Sequence, residues 1–223
     1  MKIAIIVAMR KELDLLIPLI NQTSTVSVNG FEFHLGTLGL ADVVVMQCGI
    51  GKVNAAVGTL TLIENFHPGA IINTGVAGGT GGGAAILDVV IADRIAYHDV
   101  WCGPGTTPGQ AAGCPAYFEC PIDPAKLDIP GTRRGLIASG DIFVSEVETV
   151  RHILELYPDA IAVDMESAAI AQVCHIKGVP FVCIRVISDT PGAADNIAQY
   201  QNFWDDAPQH TFSALQHVIS AII

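Results

Sequence analysis

Basic residues are scarce in this chain: 11 Lys and Arg stand against 22 Asp and Glu, a net charge of −11 over 223 residues. Nucleic acids and anionic membrane surfaces are held through clustered Lys and Arg on phosphates, so neither is an expected partner. No apolar run reaches the roughly 20 residues that cross a bilayer. No leader precedes the first apolar run, since Lys2 opens directly on Ile3–Val7, and a cytoplasmic location is expected. The six cysteines form no CxxC pair; Cys48, Cys174 and Cys183 lie in or beside apolar runs and read as small buried hydrophobes. His98-Asp99 has no second His at ligand spacing, so no metal is expected, and no cofactor. Charge of either sign totals only 15% of residues against 51% hydrophobic. That surplus suffices for a core and leaves apolar surface for a subunit interface. The length suits one α/β domain spanning residues 1–223.

The segment from Ala162 to Gly192 reads as strand, helix, strand. Apolar Ala160–Val163 ends in Asp164-Met165-Glu166, a small-residue helix follows from Ser167 to about His175, and Gly178 and Pro180 stop it. Phe181–Ile187 then runs apolar on both faces into Ser188-Asp189, as expected for the middle of a parallel sheet reached by a right-handed crossover. Glu166 and Asp189 thus fall just past strand carboxyl ends, where open α/β sheets bind ligands. Two carboxylates at one crevice suit acid–base chemistry on a polar small molecule. Helix capping for Asp164 and Glu166 and a turn role for Asp189 explain the same residues equally well.

The amino-terminal strand Lys2–Ala8 breaks at Met9-Arg10-Lys11-Glu12, and Leu13, Leu16, Ile17 and Ile20 form a helical stripe. Glu12 occupies the same type of position as Glu166, although a first-turn Glu is also favoured by the helix dipole alone. Thr23–Val28, Glu32–Leu38 and Asp42–Gln47 read as three strands, the first turn marked by Asn29-Gly30. Gly49-Ile50-Gly51-Lys52 lacks the first glycine and the Ser/Thr of a P-loop, and Lys52 reads as a solvated residue before the helix Asn54–Phe66. The strand Ala70–Thr74 runs into a glycine-rich turn, Gly75–Ala85, in which Gly79–Ala84 matches GxGxxA. A dinucleotide site needs a long helix next and an acid roughly 20 residues on. The strand Val89–Tyr97 comes instead, so the turn is expected to form one pocket wall. The long loop His98–Ala116 is expected to be functional or interfacial. Asp123–Leu127 reads as a helical turn, Arg134–Ser139 as a strand, Glu146–Tyr157 as a helix, Thr190–Gln199 as a polar loop and Phe203–Ile223 as one closing helix.

In this order the motifs resemble the 5′-methylthioadenosine/S-adenosylhomocysteine nucleosidases of the nucleoside phosphorylase superfamily. The resemblance rests on Ile6–Glu12, Gly49–Ala56, Ile71–Gly79, Tyr97–Asp99, Gly113–Ala116, Ser139–Phe143, Asp164–Glu166 and Arg185–Asp189, and spans nearly the whole chain. It implies a three-layer α/β nucleoside phosphorylase-like fold, a mixed central sheet flanked by helices, acting as a homodimer on an adenine nucleoside. By that similarity Asp189, oriented by Ser188, is the general acid at purine N7; Glu12 is the base for the attacking water; and Glu166 binds the ribose hydroxyls. Arg185 is implied as a ribose or water ligand. Phe143 would stack on adenine, the backbone of Ile142 and Val144 would read its edge, and Met9, Ile50 and Met165 would line the ribose and alkylthio side. Val76 and Gly78 belong to the implied pocket wall.

Phosphorylases of the superfamily carry an Arg and a Ser on and after the strand that here holds Asn73 and Val76. Glu12 would repel phosphate, which favours hydrolysis. The family pattern is broken at Val76, where Ser is common, at Val7, at Ile86-Leu87-Asp88, and in Val100–Ala112, where Trp101 is the one aromatic residue. Those departures leave the 5′ substituent open, with 5′-deoxyadenosine and aminodeoxyfutalosine as further candidates. A phosphate-dependent phosphorylase and a non-catalytic nucleoside-binding module are the rival functions.

Overall fold

The computed structural model describes residues 1–206 and 211–222. Its strands are β1 (Lys2–Val7), β2 (Asn21–Val28), β3 (Phe31–Leu38), β4 (Ala41–Gln47), β5 (Ala70–Gly79), β6 (Val89–Tyr97), β7 (Phe118–Glu119), β8 (Thr132–Ser139), β9 (Ala160–Asp164) and β10 (Phe181–Asp189). Its helices are α1 (Arg10–Leu16), α2 (Lys52–Phe66), α3 (Val147–Leu156), α4 (Ser167–Lys177), α5 (Asn196–Asp206) and α6 (Thr211–Ile222). No described helix is long and apolar enough to cross a membrane.

Successive strand side chains point to opposite faces, and β1 is apolar on both. Ala4 and Ile6 pack with Ala55 and Leu62 of α2 and Ala168 and Ile170 of α4. Ile3 and Ile5 pack on the other side with Leu13 of α1, Phe203 of α5 and Leu215 and Val218 of α6. The result is the expected three layers, with α3 set over β8 and β9 through Ile153. The β2–β3 hairpin turns at Asn29 and Gly30, both in the left-handed region that a two-residue turn needs.

Strand β1 lies parallel to β4 and β5, and β4-β3-β2 extend the sheet as an antiparallel meander. The strand at Ala70 is longer than expected: Gly75–Gly79 is not a turn but the second half of β5. The backbone there is pinned by pairing, Gly75 with Arg185, Val76 with Val186, and Gly78 with both Asp189 and Val163. Small residues permit this crowding. A Cβ on Gly78 would lie 2.6 Å from Pro191 Cγ and 3.2 Å from Val163 Cγ2.

The expected parallel crossover from β9 to β10 does not form. Strand β9 is parallel to β8 and antiparallel to β5, whereas β10 is parallel to β5 and antiparallel to β6. The sheet therefore closes on itself as β5-β10-β6-β8-β9-β5. At Gly78 the carboxyl ends of β9 and β10 come side by side, which brings Glu166 and Asp189 to one place. The carboxyl-terminal region also differs from expectation: α5 begins at Asn196, inside the stretch read as a loop, and α6 falls within the expected closing helix. Residues 207–210 and 223 of the expected closing helix lie outside the described residues. Polarity misled because Gln199 bonds inward, its Oε1 accepting the Thr190 N–H at 2.8 Å.

Candidate active site

At the amino-terminal end of the cleft, β1 stops and α1 starts within three residues, Ala8 to Arg10. Free N–H groups at a helix start attract an acceptor, and Glu12 supplies one. Its Oε2 accepts from the N–H of Ala8 at 2.9 Å and of Met9 at 2.8 Å, and its Oε1 from that of Val76 at 3.0 Å. The carboxylate thus bridges β1 and β5. Only glycine at position 75 leaves room, because a Cβ there would sit 2.3 Å from Glu12 Oε1. Burial pushes the Glu12 carboxyl above its ordinary value, against the pull of those hydrogen bonds and the Arg185 guanidinium.

Glu166 stands between β9 and α4 and is 7% exposed. Its Oε1 accepts the N–H of Gly51 at 2.8 Å, which ties it to the turn before α2. Burial and neighbouring Asp164 push its carboxyl up to about 7, with Gly51 and Arg185 opposing. Asp189 ends β10. The Ser188 hydroxyl is 2.6 Å from Asp189 Oδ1, and the Asn196 amide N–H bonds to Oδ2. Burial again raises the carboxyl, and the two hydrogen bonds restrain it. Three carboxyl groups therefore share a cleft in which each holds a proton more readily than in water.

The cleft has a cavity volume of about 110 Å³, and all the expected site residues but one line it: Met9, Glu12, Ile50, Val76, Gly78, Ile142, Phe143, Val144, Met165, Glu166, Ser188 and Asp189. Ile142 and Phe143 are nearly half exposed, an apolar shelf at the mouth. Arg185 is the exception. It is buried behind the wall, with Nε 2.9 Å and Nη2 2.6 Å from Asp164 Oδ2, Nη2 also on Asn73 Oδ1, and Nη1 on the Ile184 carbonyl. Every guanidinium nitrogen is occupied by protein, so Arg185 acts on the cleft through charge, not contact. Asn73 is likewise turned away, donating to the Ile6 carbonyl at 3.0 Å.

Lys52 is not a solvated residue: its Nζ bonds Asp99 at 2.8 Å, and Asp99 in turn accepts the Asp141 N–H at 2.9 Å, steadying the turn that presents Ile142 and Phe143. Among the described residues no group of three or more His, Cys, Asp or Glu could hold a metal ion. Two residues of α5 went unread in the sequence. Tyr200 lines the cleft, its hydroxyl 3.3 Å from Met9 Sδ and its ring 5.6 Å from that of Phe143 at 72°. Asn196 holds Asp189. Neither belongs to a motif; the four-residue step from Asn196 to Tyr200, one helical face, is the only signal that links them.

A mixed sheet closed around β5, carrying buried carboxyls at converging strand ends and an apolar shelf, defines a class: an α/β pocket whose carboxyls are suited to proton transfer with a polar small molecule. The phosphorylase superfamily model matches residues 2–220. The chain is 41% identical over 220 residues to the 5′-methylthioadenosine/S-adenosylhomocysteine nucleosidase of Hydrogenovibrio crunogenus, covering 95% of this chain and 94% of that one. The nucleosidase of that name from S. pneumoniae, solved with a transition-state inhibitor, superposes with TM-score 0.92 at 36% identity over the full length of both chains. The futalosine hydrolase of Helicobacter pylori superposes with TM-score 0.89 at 26% identity, covering 98% of this chain and 97% of that one. This chain belongs to the 5′-methylthioadenosine/S-adenosylhomocysteine nucleosidase family, within the phosphorylase superfamily.

Proposed function

We propose that the protein hydrolyses the N-glycosidic bond of 5′-methylthioadenosine and S-adenosylhomocysteine, yielding adenine and the 5-thioribose product. The observation that carries this reading is the pair of buried carboxyls, Glu12 and Asp189, lining one cleft together with Glu166. Adenine leaves poorly as an anion, and Asp189, with its proton held by burial, supplies a proton to N7 as the bond to C1′ breaks. The sugar becomes oxocarbenium-like, as in other glycoside cleavages, and the charge of Glu166 beside the ribose hydroxyls stabilises it. Water adds at C1′ and gives its proton to Glu12, whose affinity for a proton is raised by burial, as a base requires. Phe143 stacks on the purine between Ile142 and Val144, and Met9, Ile50 and Met165 border the sugar and its 5′ group.

Water rather than phosphate is favoured by Glu12 inside the cleft and by Asn73 turned out of it. The same chemistry serves 5′-deoxyadenosine or aminodeoxyfutalosine, which differ beyond C5′; Val76 in the wall, in place of a hydroxyl residue, keeps these substrates in the proposal. All six cysteines are free, in keeping with one catalytic unit working in the cytoplasm. A homodimer is supported by the exposed stripe Val53, Val57 and Leu60 on α2, continuous with Ile50 at the cleft, and by Trp101 at 64% exposure in the long loop. Sedimentation of the intact protein tests that assembly.

Two variants test the mechanism. Asp189→Asn and Glu12→Gln should each lose adenine release from methylthioadenosine, by about a hundredfold or more, and still bind a non-hydrolysable adenine nucleoside. Full turnover in either variant removes that residue from its role. A wild-type protein that binds such nucleosides tightly but releases no adenine is a binding module.

A further inference from the structure

The amide of Asn196 is 2% exposed, and its N–H is bonded to Oδ2 of Asp189. Its own Oδ1 is buried without a partner among the described residues. A side chain that leaves one polar atom unpaired while the other grips a cleft carboxyl is held there by that grip. The two Asp189 oxygens have separate donors, the Ser188 hydroxyl on Oδ1 and Asn196 on Oδ2. Ser188 is fixed in turn by its place 3.2 Å from the Ala77 carbonyl. A carboxyl held at both oxygens cannot rotate about its Cβ–Cγ bond.

Asn196 also opens α5, the helix that carries Tyr200 to the cleft and Phe203 into the core. With the Gln199–Thr190 bond, it fastens that helix to the end of β10. The charged or titratable groups facing the same cleft are Glu12 from α1, Asp164 at the end of β9, Glu166 between β9 and α4, and Tyr200 from α5; β5 offers only uncharged Val76, Ala77 and Gly78. None of these ranks among the causes acting on Asp189, which are burial, Ser188 and Asn196.

We propose that Asn196 is a positioning residue for Asp189: its amide N–H fixes the carboxyl toward the purine and stabilises the carboxylate left when the proton departs. The inference rests on the reading of Asp189 as general acid. A hydrogen bond to the charged form favours that form, so it lowers the barrier to giving up the proton while burial keeps the proton in place beforehand. An amide suits this better than a carboxylate, which would compete for the proton.

The test is the pH dependence of kcat for methylthioadenosine cleavage in Asn196→Leu, which keeps the shape without the donor, and in isosteric Asn196→Asp. Loss of a hydrogen bond to a charged group should lower kcat about ten- to a hundredfold, with KM changed less than about threefold because the amide touches no substrate. In both variants the alkaline limb should move to higher pH. Asp189 works while protonated, and losing the donor, or gaining a second carboxyl beside it, raises its affinity for the proton. Should one variant fail to fold, the other gives the same reading. Lowered kcat with an unmoved alkaline limb would assign Asn196 a purely structural role, and wild-type kcat in either variant would remove it altogether. Wild-type protein that releases no adenine would overturn the acid role of Asp189 together with this inference; a normal wild type beside unmoved variants overturns the inference alone.

Discussion

Replacing Glu166 by Gln should make the protein more stable and inactive, and the stability gain should grow with pH. Glu166 is 7% exposed, and its carboxyl is pushed from an ordinary 4.5 up to about 7, burial being the largest cause. At about 1.4 kcal/mol per pH unit the difference is worth roughly 3 kcal/mol. A group whose affinity for protons rises on folding contributes stability that is fully present below 4.5 and is lost as pH rises through about 7. Gln has the same shape, and its amide oxygen still accepts from Gly51, but it never charges. Urea unfolding at fixed protein concentration, at about pH 4.5, 6 and 8, should therefore show the variant gaining on wild type by roughly 3 kcal/mol across the series. In a domain of this size that is a Tm difference of about 6–12 °C. Adenine release should be lost in the same variant, a stability–activity trade-off at one side chain. Parallel stability curves for the two proteins would refute the claim that folding forces an unfavourable charge at this position.

Gly75→Ala sets a methyl 2.3 Å from Glu12 Oε1; with the base displaced, turnover should fall about a hundredfold, which steady-state kinetics will measure while circular dichroism reports the fold retained. Arg185→Met should cost about 3–5 kcal/mol in urea unfolding, because it strands buried Asp164 without its partner, and a second change, Asp164→Asn, should recover much of the loss. The acidic limb of kcat/KM should lie above the ordinary carboxylate range, since burial raises the proton affinity of Glu12 and the base works only when ionised; a limb at or below 4.5 would contradict that assignment.

Periodicity made much of the fold legible. A continuous apolar run marks β1, Asn29-Gly30 marks the turn of the β2–β3 hairpin, and Gly178 marks the end of α4, where the structure has it in the left-handed region. What periodicity could not reveal is pairing across distance. Gly75–Gly79 looks like a turn locally and becomes a strand only because β10, about 110 residues on, lies beside it. The apolar β10 reads as parallel to β9, and only closure of the sheet sets the two on either side of β5, β10 parallel to it and β9 antiparallel. Position and residue type leave Glu166 and Asp189 evenly poised between capping or turn roles and chemistry, and for Glu12 they favour the helix dipole; the family pattern separates them. That pattern placed Arg185 at the substrate, but Asp164, 21 residues earlier, holds its guanidinium. Asn196 and Tyr200 were illegible because a polar stretch without apolar spacing looks like a loop until its side chains are seen bonded to Asp189 and set over the cleft.

The central claim, that water and not phosphate accepts the sugar, is tested most directly by following methylthioadenosine chromatographically with the wild-type protein, with and without inorganic phosphate. Free adenine and methylthioribose at the same rate in both conditions is the result expected from Glu12 in the cleft and Asn73 turned away. Adenine released only with phosphate, alongside a sugar phosphate, would contradict it.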